Sequence, residues 1–484
     1  MAKQQQLAIN VKKEENINEW YTEVIQKADL IEYTDVSGCI IFKPNSFQVW
    51  ESIQKFFDER IKKSGVRNAY FPLFIPEKLL NKEADHVDGF SAEVAWVTHG
   101  GNSELKERLA IRPTSETIIG NAYSKWIKSY RDLPYRLNQW CNVVRWEFKH
   151  PTPFLRTREF LWQEGHCVFE TYDEAKNEVM EILGYYLDVA EELLAIPVTK
   201  GRKSIAEKFA GAEFTTTIES FVVEDGKSIQ AGTSHHLGQK FAKAFGIEYL
   251  NKDQKKQFPY QTSWGISTRL IGAMIMMHSD NKGLVLPPRV ATNKVVIVPL
   301  LFKGKEERVL DKADELKKVL GLFNPIIDDD KKESPGFKFN KWEMQGIPLR
   351  IELGPRDLEQ GVLQVVRRDT NEKIEFKLDC EIEFEINKLL EDIQKNLLES
   401  SRTKIEQSTV EVSTFKDFEK AIKDKKRCLV PWCESVESED EIKEKTGAKS
   451  SCLPFKFEDK SLKGVKCFYT GKPATVWAYF CKSH

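Results

Sequence analysis

Two periods of hydrophobic and polar positions divide this chain into elements. From Asn45 to Lys63, Phe47, Trp50, Ile53, Phe57 and Ile61 fall on one stripe of a helix. Asn45 or Ser46 can cap its start, and Gly65 ends it. The following run from Asn68 to Pro76 is apolar and aromatic. Pro72 has no N–H to give a ladder, which predicts an edge strand or one that breaks there. Residues 137–170 alternate between β-prone and charged stretches and predict an antiparallel hairpin with a mobile charged tip. Residues 173–195 read as an amphipathic helix, and Ser228 to Gly238 and Tyr260 to Arg269 as strands with polar inward faces. A seam near Pro287-Pro288 leads to a different pattern. An apolar strand (Lys294 to Leu301), an amphipathic helix (Glu306 to Leu320) and strands at 348–353, 361–367 and 373–378 suggest a small α/β domain. A long helix at 381–399 leads into a third region, and no internal repeat is visible. The expected division is a flexible tail (1–16), a first domain (17–290), an α/β domain (291–395) and a C-terminal domain (396–484).

Composition agrees with about three domains in 484 residues. The chain is 41% hydrophobic and 30% charged, the balance of a soluble protein with several cores. With 73 Lys and Arg against 74 Asp and Glu, a globally basic nucleic-acid binder is excluded, so any nucleic-acid surface is local. Nine scattered cysteines do not form a disulfide framework and favour a reducing compartment. Met1 to Lys13 is polar and lacks the apolar core of a signal peptide. The longest apolar stretch, Val295 to Phe302, is broken by Pro299 and far shorter than the ~20 residues of a membrane span. These features predict a cytoplasmic protein without a membrane segment.

Four clusters carry candidate chemistry. In the densest, Arg145 to His166, the spacing of Trp162, Glu164 and His166 puts three side chains on one face of a strand. Arg145 and Arg156 flank a Pro-rich turn, and paired guanidinium groups suit a triphosphate because each grips oxygens as a fork. In Arg112-Pro-Thr114-Ser-Glu116, Glu116 can hold a cationic amine and Thr114 can orient it, while Thr114 and Ser115 also read as a helix N-cap. In Gln230-Ala-Gly-Thr233-Ser-His235-His236, small and polar residues crowd a strand end, as close approach of a ligand requires. Adjacent histidines point to opposite strand faces, so at most one of them faces a site. In Trp264-Gly-Ile-Ser267-Thr-Arg269, a strand ends in an arginine that opens an apolar helix, a place for an anion. No Gly-rich lysine loop of the P-loop kind is present.

Taken in this order, the clusters resemble a class II aminoacyl-tRNA synthetase, most closely the prolyl-tRNA synthetases of eukaryotic and archaeal type. Phe71 to Pro76 with the helix before it resembles the first class motif, which builds a dimer interface. Arg145-Trp-Glu with Phe154-Leu-Arg-Thr-Arg-Glu-Phe160 resembles the second, and Trp264 to Arg269 the third. The runs Phe160-Leu-Trp-Gln-Glu-Gly-His166 and Gln230 to His235 resemble the proline branch in particular. The likeness continues through Gly354-Pro-Arg356-Asp357 and Val366-Arg-Arg368-Asp369, and covers nearly the whole chain after about residue 17.

The resemblance implies an α+β fold: a class II catalytic domain on an antiparallel sheet, an α/β anticodon-binding domain and a small α+β C-terminal domain. It implies ATP-dependent ligation of L-proline to tRNA(Pro), ATP and Mg²⁺ as cofactors, and a homodimer. Proline falls to Thr114, Glu116, Arg145, Trp162, Glu164, His166 and His235, with Phe90 and Phe209 walling its ring. ATP falls to Arg145, Arg156, Gln230, Thr233, Ser267 and Arg269. Arg145 and Arg269 are the catalytic pair. Arg356, Arg367 and Arg368 are candidate anticodon contacts, or else strand-end ion pairs. His166 to Trp264 leaves too little chain for the editing domain of the bacterial type.

The chain departs from its relatives at two places. Related C-terminal domains often hold zinc with four cysteines. Here Cys428 and Cys433 read as one pair and Cys467 starts the second, but position 469 is Tyr469. Three thiolates do not close a tetrahedral site, although Cys452 or Cys481 offers a fourth, and no metal is expected. The family commonly ends in tyrosine near the active site, whereas this chain ends in His484, which questions a role for the terminal carboxylate. Two rivals are a synthetase for threonine or glycine and a catalytically dead paralogue. Threonine enzymes use a pocket zinc, for which the Trp162, Glu164 and His166 face offers no ligand set.

Overall fold

The computed structural model describes residues 8–84, 93–147, 150–378 and 381–484. Phe90, expected beside the amino-acid pocket, lies outside them.

An eleven-stranded sheet organises the catalytic region. Its middle is antiparallel and runs, in spatial order, Thr199–Arg202, Phe214–Val222, Lys227–Gly238, Tyr260–Ser267, Glu159–Phe169 and Tyr135–Val144, with Arg67–Asn68 parallel at one edge. The predicted hairpin is Tyr135–Val144 against Glu159–Phe169, with Gln139 opposite Glu164 and Leu137 opposite His166. Alternation then divides the chemistry between two faces. Gln163 and Trp264 point back to the helix Tyr172–Asp188, where Tyr186 Oη donates to Gln163 at 2.8 Å and Trp264 Nε1 to Glu178 at 3.3 Å. That helix starts in a capping box between Thr171 and Glu174. Residue 165 must be glycine, because a Cβ there would meet the Trp264 ring at 2.1 Å.

The helix Pro44–Lys63 packs on the same back face. Trp50, Ile53, Phe57 and Ile61 are buried, and Phe57 stacks on Tyr186 at 5.1 Å between centroids. Each such burial contributes roughly 1.5–3 kcal/mol. Two expectations for this helix fail. Phe47 is exposed, because the buried stripe starts through Ser46 and Val49 instead. Asn45 and Ser46 lie inside the helix behind Pro44, and the Ser46 hydroxyl donates to Leu30 O at 2.6 Å instead of capping. Phe74–Pro76 is an edge strand of a separate three-stranded sheet, and the chain breaks from Arg67–Asn68 around Pro72 as its missing donor requires.

After the seam, five strands order as Ile326–Ile327, Val295–Pro299, Leu349–Leu353, Val362–Arg367 and Lys373–Lys377, the first three parallel. Helices Glu306–Val319 and Pro335–Met344 complete this α/β unit; the second has no counterpart in the sequence reading. The helix expected at 381–399 runs Ile382–Gln407 and crosses the expected boundary at 395.

The C-terminal region does not stand apart. Its strands Thr409–Glu411, Arg427–Trp432, Val476–Ser483 and Lys449–Pro454 continue the catalytic sheet, with Leu453 opposite Arg202. His484 docks on the catalytic region: its N–H donates to Ser228 O at 3.1 Å and its Nε2 pairs with Asp225 at 3.0 Å. The suggested cysteine pair is corrected by strand geometry. Cys428 is the second residue of the strand Arg427–Trp432 and Cys433 follows its last, so nearly the whole extended strand, at ~3.3 Å per residue, lies between them. Cys433 instead meets Thr470 Oγ1 at 3.5 Å. Burial would raise the Cys467 thiol, but hydrogen bonds from Thr470 and nearby backbone outweigh it and hold its pKa below the usual range.

Candidate active site

A cleft of about 250 Å³ opens on the free face of the sheet and gathers side chains from separate elements. Trp162, Glu164 and His166 project together from Glu159–Phe169, as their spacing predicts. Glu116 arrives from the first turn of the helix Glu116–Trp126, and Thr114 Oγ1 donates to its carboxylate. Ser115 occupies the N-cap position but makes no cap bond. Its hydroxyl and its N–H (3.1 Å) both donate to Glu164. Gln139 Nε2 donates to Glu164 Oε1 at 2.9 Å, and His166 Nε2 lies 2.9 Å from Oε2.

These bonds decide the charge states. Burial raises the Glu164 pKa, but His166, Ser115 and Gln139 outweigh it and hold the carboxyl below its ordinary value. Burial likewise lowers His166, but the bond to Glu164 and the charges of Glu116 and Glu164 raise it above its ordinary value. This end of the cleft therefore presents two acidic side chains, Glu116 and Glu164, beside one basic one, His166. His235 behaves oppositely. Burial first, then the His166 cation, pushes its pKa down to about 3, so it is neutral. Its Nδ1 lies 2.9 Å from Thr215 Oγ1, and Phe209 covers its ring at 4.8 Å. His236 points to the opposite face, against Tyr172 and Phe214.

Glu116, Glu164 and His166 bring donor atoms within 4.8 Å of one another, the one group of metal-ligating geometry among the described residues. The strand face supplies only two of these groups, Glu164 and His166; the third, Glu116, comes from the helix Glu116–Trp126. Both Glu164 oxygens are already engaged by Ser115, Gln139 and His166.

The other end of the cleft is cationic. Arg145 follows the strand Tyr135–Val144 and donates through Nε to Pro113 O at 3.0 Å. Its guanidinium carbon lies 5.5 Å from the Phe160 ring and 5.3 Å from that of Trp162. Burial lowers its pKa against the charges of Glu147, Glu116 and Glu164. Arg269 opens the helix Arg269–His278 and donates through Nε to Leu155 O at 3.0 Å. Burial, then Arg145 and Arg156, push its pKa down to about 10. Arg145, Arg156, Arg269 and Ser267 line a side cavity of about 40 Å³ that adjoins the cleft. Three mutually repelling guanidinium groups around one space call for a polyanion.

Gln230 and Thr233 both line the cleft although an odd spacing should part them. A bulge at Ala231, where Ile218 pairs with Gly232 and Glu219 with Gln230, restores the shared face. Of the expected residues, only Phe90 is outside the described chain; Arg156 lines the side cavity and the rest line the cleft. Sequence reasoning missed Ser115, Gln139, Phe160, Lys203, Glu207 and Thr215. Phe160 was legible, because it continues the period-two run of Trp162, Glu164 and His166.

Two candidate anticodon arginines are corrected to structural locks. Arg367 is buried and pairs with Asp369 (2.8 Å) and Asp392. Arg368 is buried and grips Asp280 of the catalytic region with both nitrogens, at 2.8 and 2.7 Å. Arg356 is exposed.

Known proteins repeat this division. Residues 96–278 match the tRNA synthetase class II core domain (G, H, P, S and T), residues 294–396 an anticodon binding domain, and residues 415–484 the C-terminal domain of prolyl-tRNA synthetase. The chain is 52% identical to a proline–tRNA ligase of Lachnoclostridium phytofermentans, over 97% of each chain. It is 48% identical to the cytoplasmic proline–tRNA ligase of Arabidopsis thaliana, over 99% of this chain and 91% of that one. All of it matches the bifunctional glutamate/proline–tRNA ligase of Mus musculus at 49% identity, but it spans only about a third (33%) of that relative's length. A crystal structure of prolyl-tRNA synthetase from Cryptosporidium parvum, complexed with halofuginone and AMPPNP, superposes with a TM-score of 0.95. It is 47% identical, over 99% of this chain and 100% of that one.

Proposed function

The chain belongs to the class II prolyl-tRNA synthetases, and from that premise we propose that it activates L-proline with ATP and transfers it to the 3′ end of tRNA(Pro). The observation that carries this reading is the two-part cleft: Glu116, Glu164 and His166 at one end and three arginines at the other. Proline's ammonium sits against Glu116, Glu164 and His166, its ring between Trp162 and the Phe209–His235 wall, and its carboxylate toward Arg145. ATP occupies the side of Arg156, Gln230, Thr233, Ser267 and Arg269.

A proline carboxylate oxygen attacks the α-phosphorus. A P–O bond forms as the bond to the bridging oxygen breaks, and pyrophosphate leaves with that electron pair. No proton moves, so no general base is needed, and the residues act by alignment and charge stabilisation. Arg145 lies between the two halves and bridges carboxylate and α-phosphate; Arg156 and Arg269 hold the outer phosphates. A tRNA ribose hydroxyl then attacks the adenylate carbonyl carbon; the ester C–O bond forms as the bond to the phosphate oxygen breaks, AMP leaves with that electron pair, and the hydroxyl proton passes to the departing phosphate or to water. Mg²⁺ would enter with ATP rather than on a cage of protein ligands. The carboxylates lining the cleft are Glu116 and Glu164, engaged as above, and Glu207, paired with Lys449. When bound, it supplies positive charge to the leaving pyrophosphate.

The reading extends to a homodimer in the cytoplasm, where the cytoplasmic plant relative works, with the exposed Arg356 as an anticodon contact. No helix among the described residues is long and apolar enough to cross a membrane. The test is ATP–pyrophosphate exchange with each standard amino acid, on enzyme whose mass is first measured by sedimentation against 56.0 kDa per chain. Exchange with proline is expected; its absence supports the dead paralogue.

Hydrolytic editing is not expected. Between His166 and Trp264 the chain is taken up by the helices Tyr172–Asp188 and Lys240–Phe245, the sheet strands and the small hairpin of Tyr249–Leu250 with Lys256–Gln257. Alanine, being smaller, enters a pocket made for proline, so steric exclusion cannot reject it. Alanyl-tRNA(Pro) should persist with enzyme at its spontaneous hydrolysis rate; rapid enzyme-dependent deacylation contradicts this.

A further inference from the structure

One wall of the cleft is held from outside the catalytic domain. The segment from Thr199 to Thr215 supplies Lys203, Glu207, Phe209 and Thr215 to the cleft. It consists of the short strand Thr199–Arg202 and a loop that leads into Phe214–Val222. Its far end packs Phe209, Ala210 and Ala212 on the core around Phe241, whereas its near end, Thr199 to Glu207, depends on what grips it.

The grip comes from the C-terminal domain, residue by residue. Arg202 forks onto both oxygens of Glu434, at 2.6 and 2.9 Å. Lys203 Nζ donates to Ser451 O at 2.8 Å while it pairs with Glu219 at 2.8 Å. The Ser204 hydroxyl donates to Glu439 Oε2 at 2.7 Å, and Lys449 pairs with Glu207. The backbones are zipped at Leu453–Arg202 and Pro454–Gly201. Gly201 is required there, since a Cβ would meet Leu453 O at 2.5 Å.

The bonds then pass inward. Ser204 Oγ accepts from Glu207 N at 3.2 Å, which fixes the turn. Phe209 N donates to Thr215 Oγ1 at 2.9 Å, and the same hydroxyl meets His235 Nδ1. Phe209 lies on His235. Glu439 is itself buried and accepts from Ser204 Oγ, Ser450 N (3.0 Å) and Ser450 Oγ (2.5 Å).

We propose that the C-terminal domain is a positioning element of the active site. Glu434 and Glu439 hold the loop that carries Phe209, and so set the affinity for the amino acid without touching it. The proposal rests on the reading of the cleft as a proline site.

The experiment is proline-dependent ATP–pyrophosphate exchange on the full chain. Arg202→Glu and Glu434→Arg each break the fork by like charge and are expected to raise the proline KM about tenfold, with kcat within about twofold. The double exchange Arg202→Glu/Glu434→Arg restores the pair with reversed sign and should recover most of the loss. Ser204→Ala removes only one hydroxyl and should raise the proline KM about threefold, which covers the case in which the charge variants do not fold. Unchanged proline KM in Ser204→Ala and the folded charge variants, or no recovery in the folded double variant, overturns the proposal. Absence of proline-dependent exchange in the unaltered enzyme instead overturns the reading of the cleft.

Discussion

Replacing Arg145 by lysine should reduce kcat for proline-dependent exchange by about 10²–10³-fold, the loss typical for one donor aimed at developing charge. The substitution keeps the charge, so the effect isolates geometry. The Arg145 Nε is fixed on Pro113 O, and the guanidinium plane is confined by Phe160 and Trp162. The remaining nitrogens therefore face the junction between the carboxylate cluster and the side cavity. A lysine ammonium has neither the fork nor the stacking plane and loses bidentate alignment. Stability should move the other way when charge is removed. Arg269 is pushed down to about 10 by burial and by Arg145 and Arg156, so protonated Arg269 is disfavoured in the unliganded fold. For a base with a depressed folded pKa, the penalty on folding operates below that pKa and is lost above it. Arg269→Gln should therefore abolish exchange while the thermal midpoint at pH 7 stays level or rises. ATP should raise the midpoint of the unaltered enzyme by mass action and leave that of Arg269→Gln nearly unmoved. A variant that melts much earlier, or still exchanges at full rate, refutes this assignment.

Glu164→Gln is the second large effect. It should raise the proline KM by about 10²-fold or more, because a carboxylate with three kinds of donor becomes an amide whose own N–H₂ faces them. An unsatisfied buried partner of a charged group costs about 3 kcal/mol. The substitution also separates binding from protonation. His166 is held above its ordinary pKa by Glu164 and Glu116, so its stabilising contribution is complete below about 6.5 and is lost as pH rises through the raised value. Glu164 is held below its ordinary pKa, so its contribution is present above about 4.5 and is lost as pH falls through the lowered value. The pair is intact between those limits. In Glu164→Gln the His166 imidazole should titrate lower than in the unaltered enzyme, read by NMR. A His166 titration that does not move removes the pair as its cause.

Much of the site was legible before any fold was known. A strand alternates its faces, so Trp162, Glu164 and His166 had to share one, and His235 and His236 had to part. The helix Tyr172–Asp188 and the hairpin across 137–170 followed from periodicity. Errors collected where a local signal had two outlets. Ser115 reads as a cap, yet its hydroxyl serves Glu164; a cap bond to the helix was worth less than a donor to a buried carboxylate. Arg367 and Arg368 read equally as anticodon contacts or as strand-end ion pairs, and only the fold, which brings Asp392 and Asp280 to them, selects the ion pairs. Cys428 and Cys433 read as a ligand pair because spacing alone does not say whether the intervening chain is a turn or an extended strand.

The sequence by itself determined which side chains stand together on one element, because strand and helix periods are properties of the backbone. It thereby set the strand that presents the proline ligands and the arginine that opens the last helix of the cleft. Tertiary structure alone decided which elements meet. It brought Glu116, Ser115 and Gln139 to Glu164, turned Gln230 into the cleft through a bulge at Ala231, and laid the C-terminal strands along the catalytic sheet so that Glu434, Glu439 and Ser451 grip the wall of the pocket. Such contacts join residues tens to hundreds of positions apart. They are fixed by packing and by pairing of buried polar groups, and neither leaves a period in the chain.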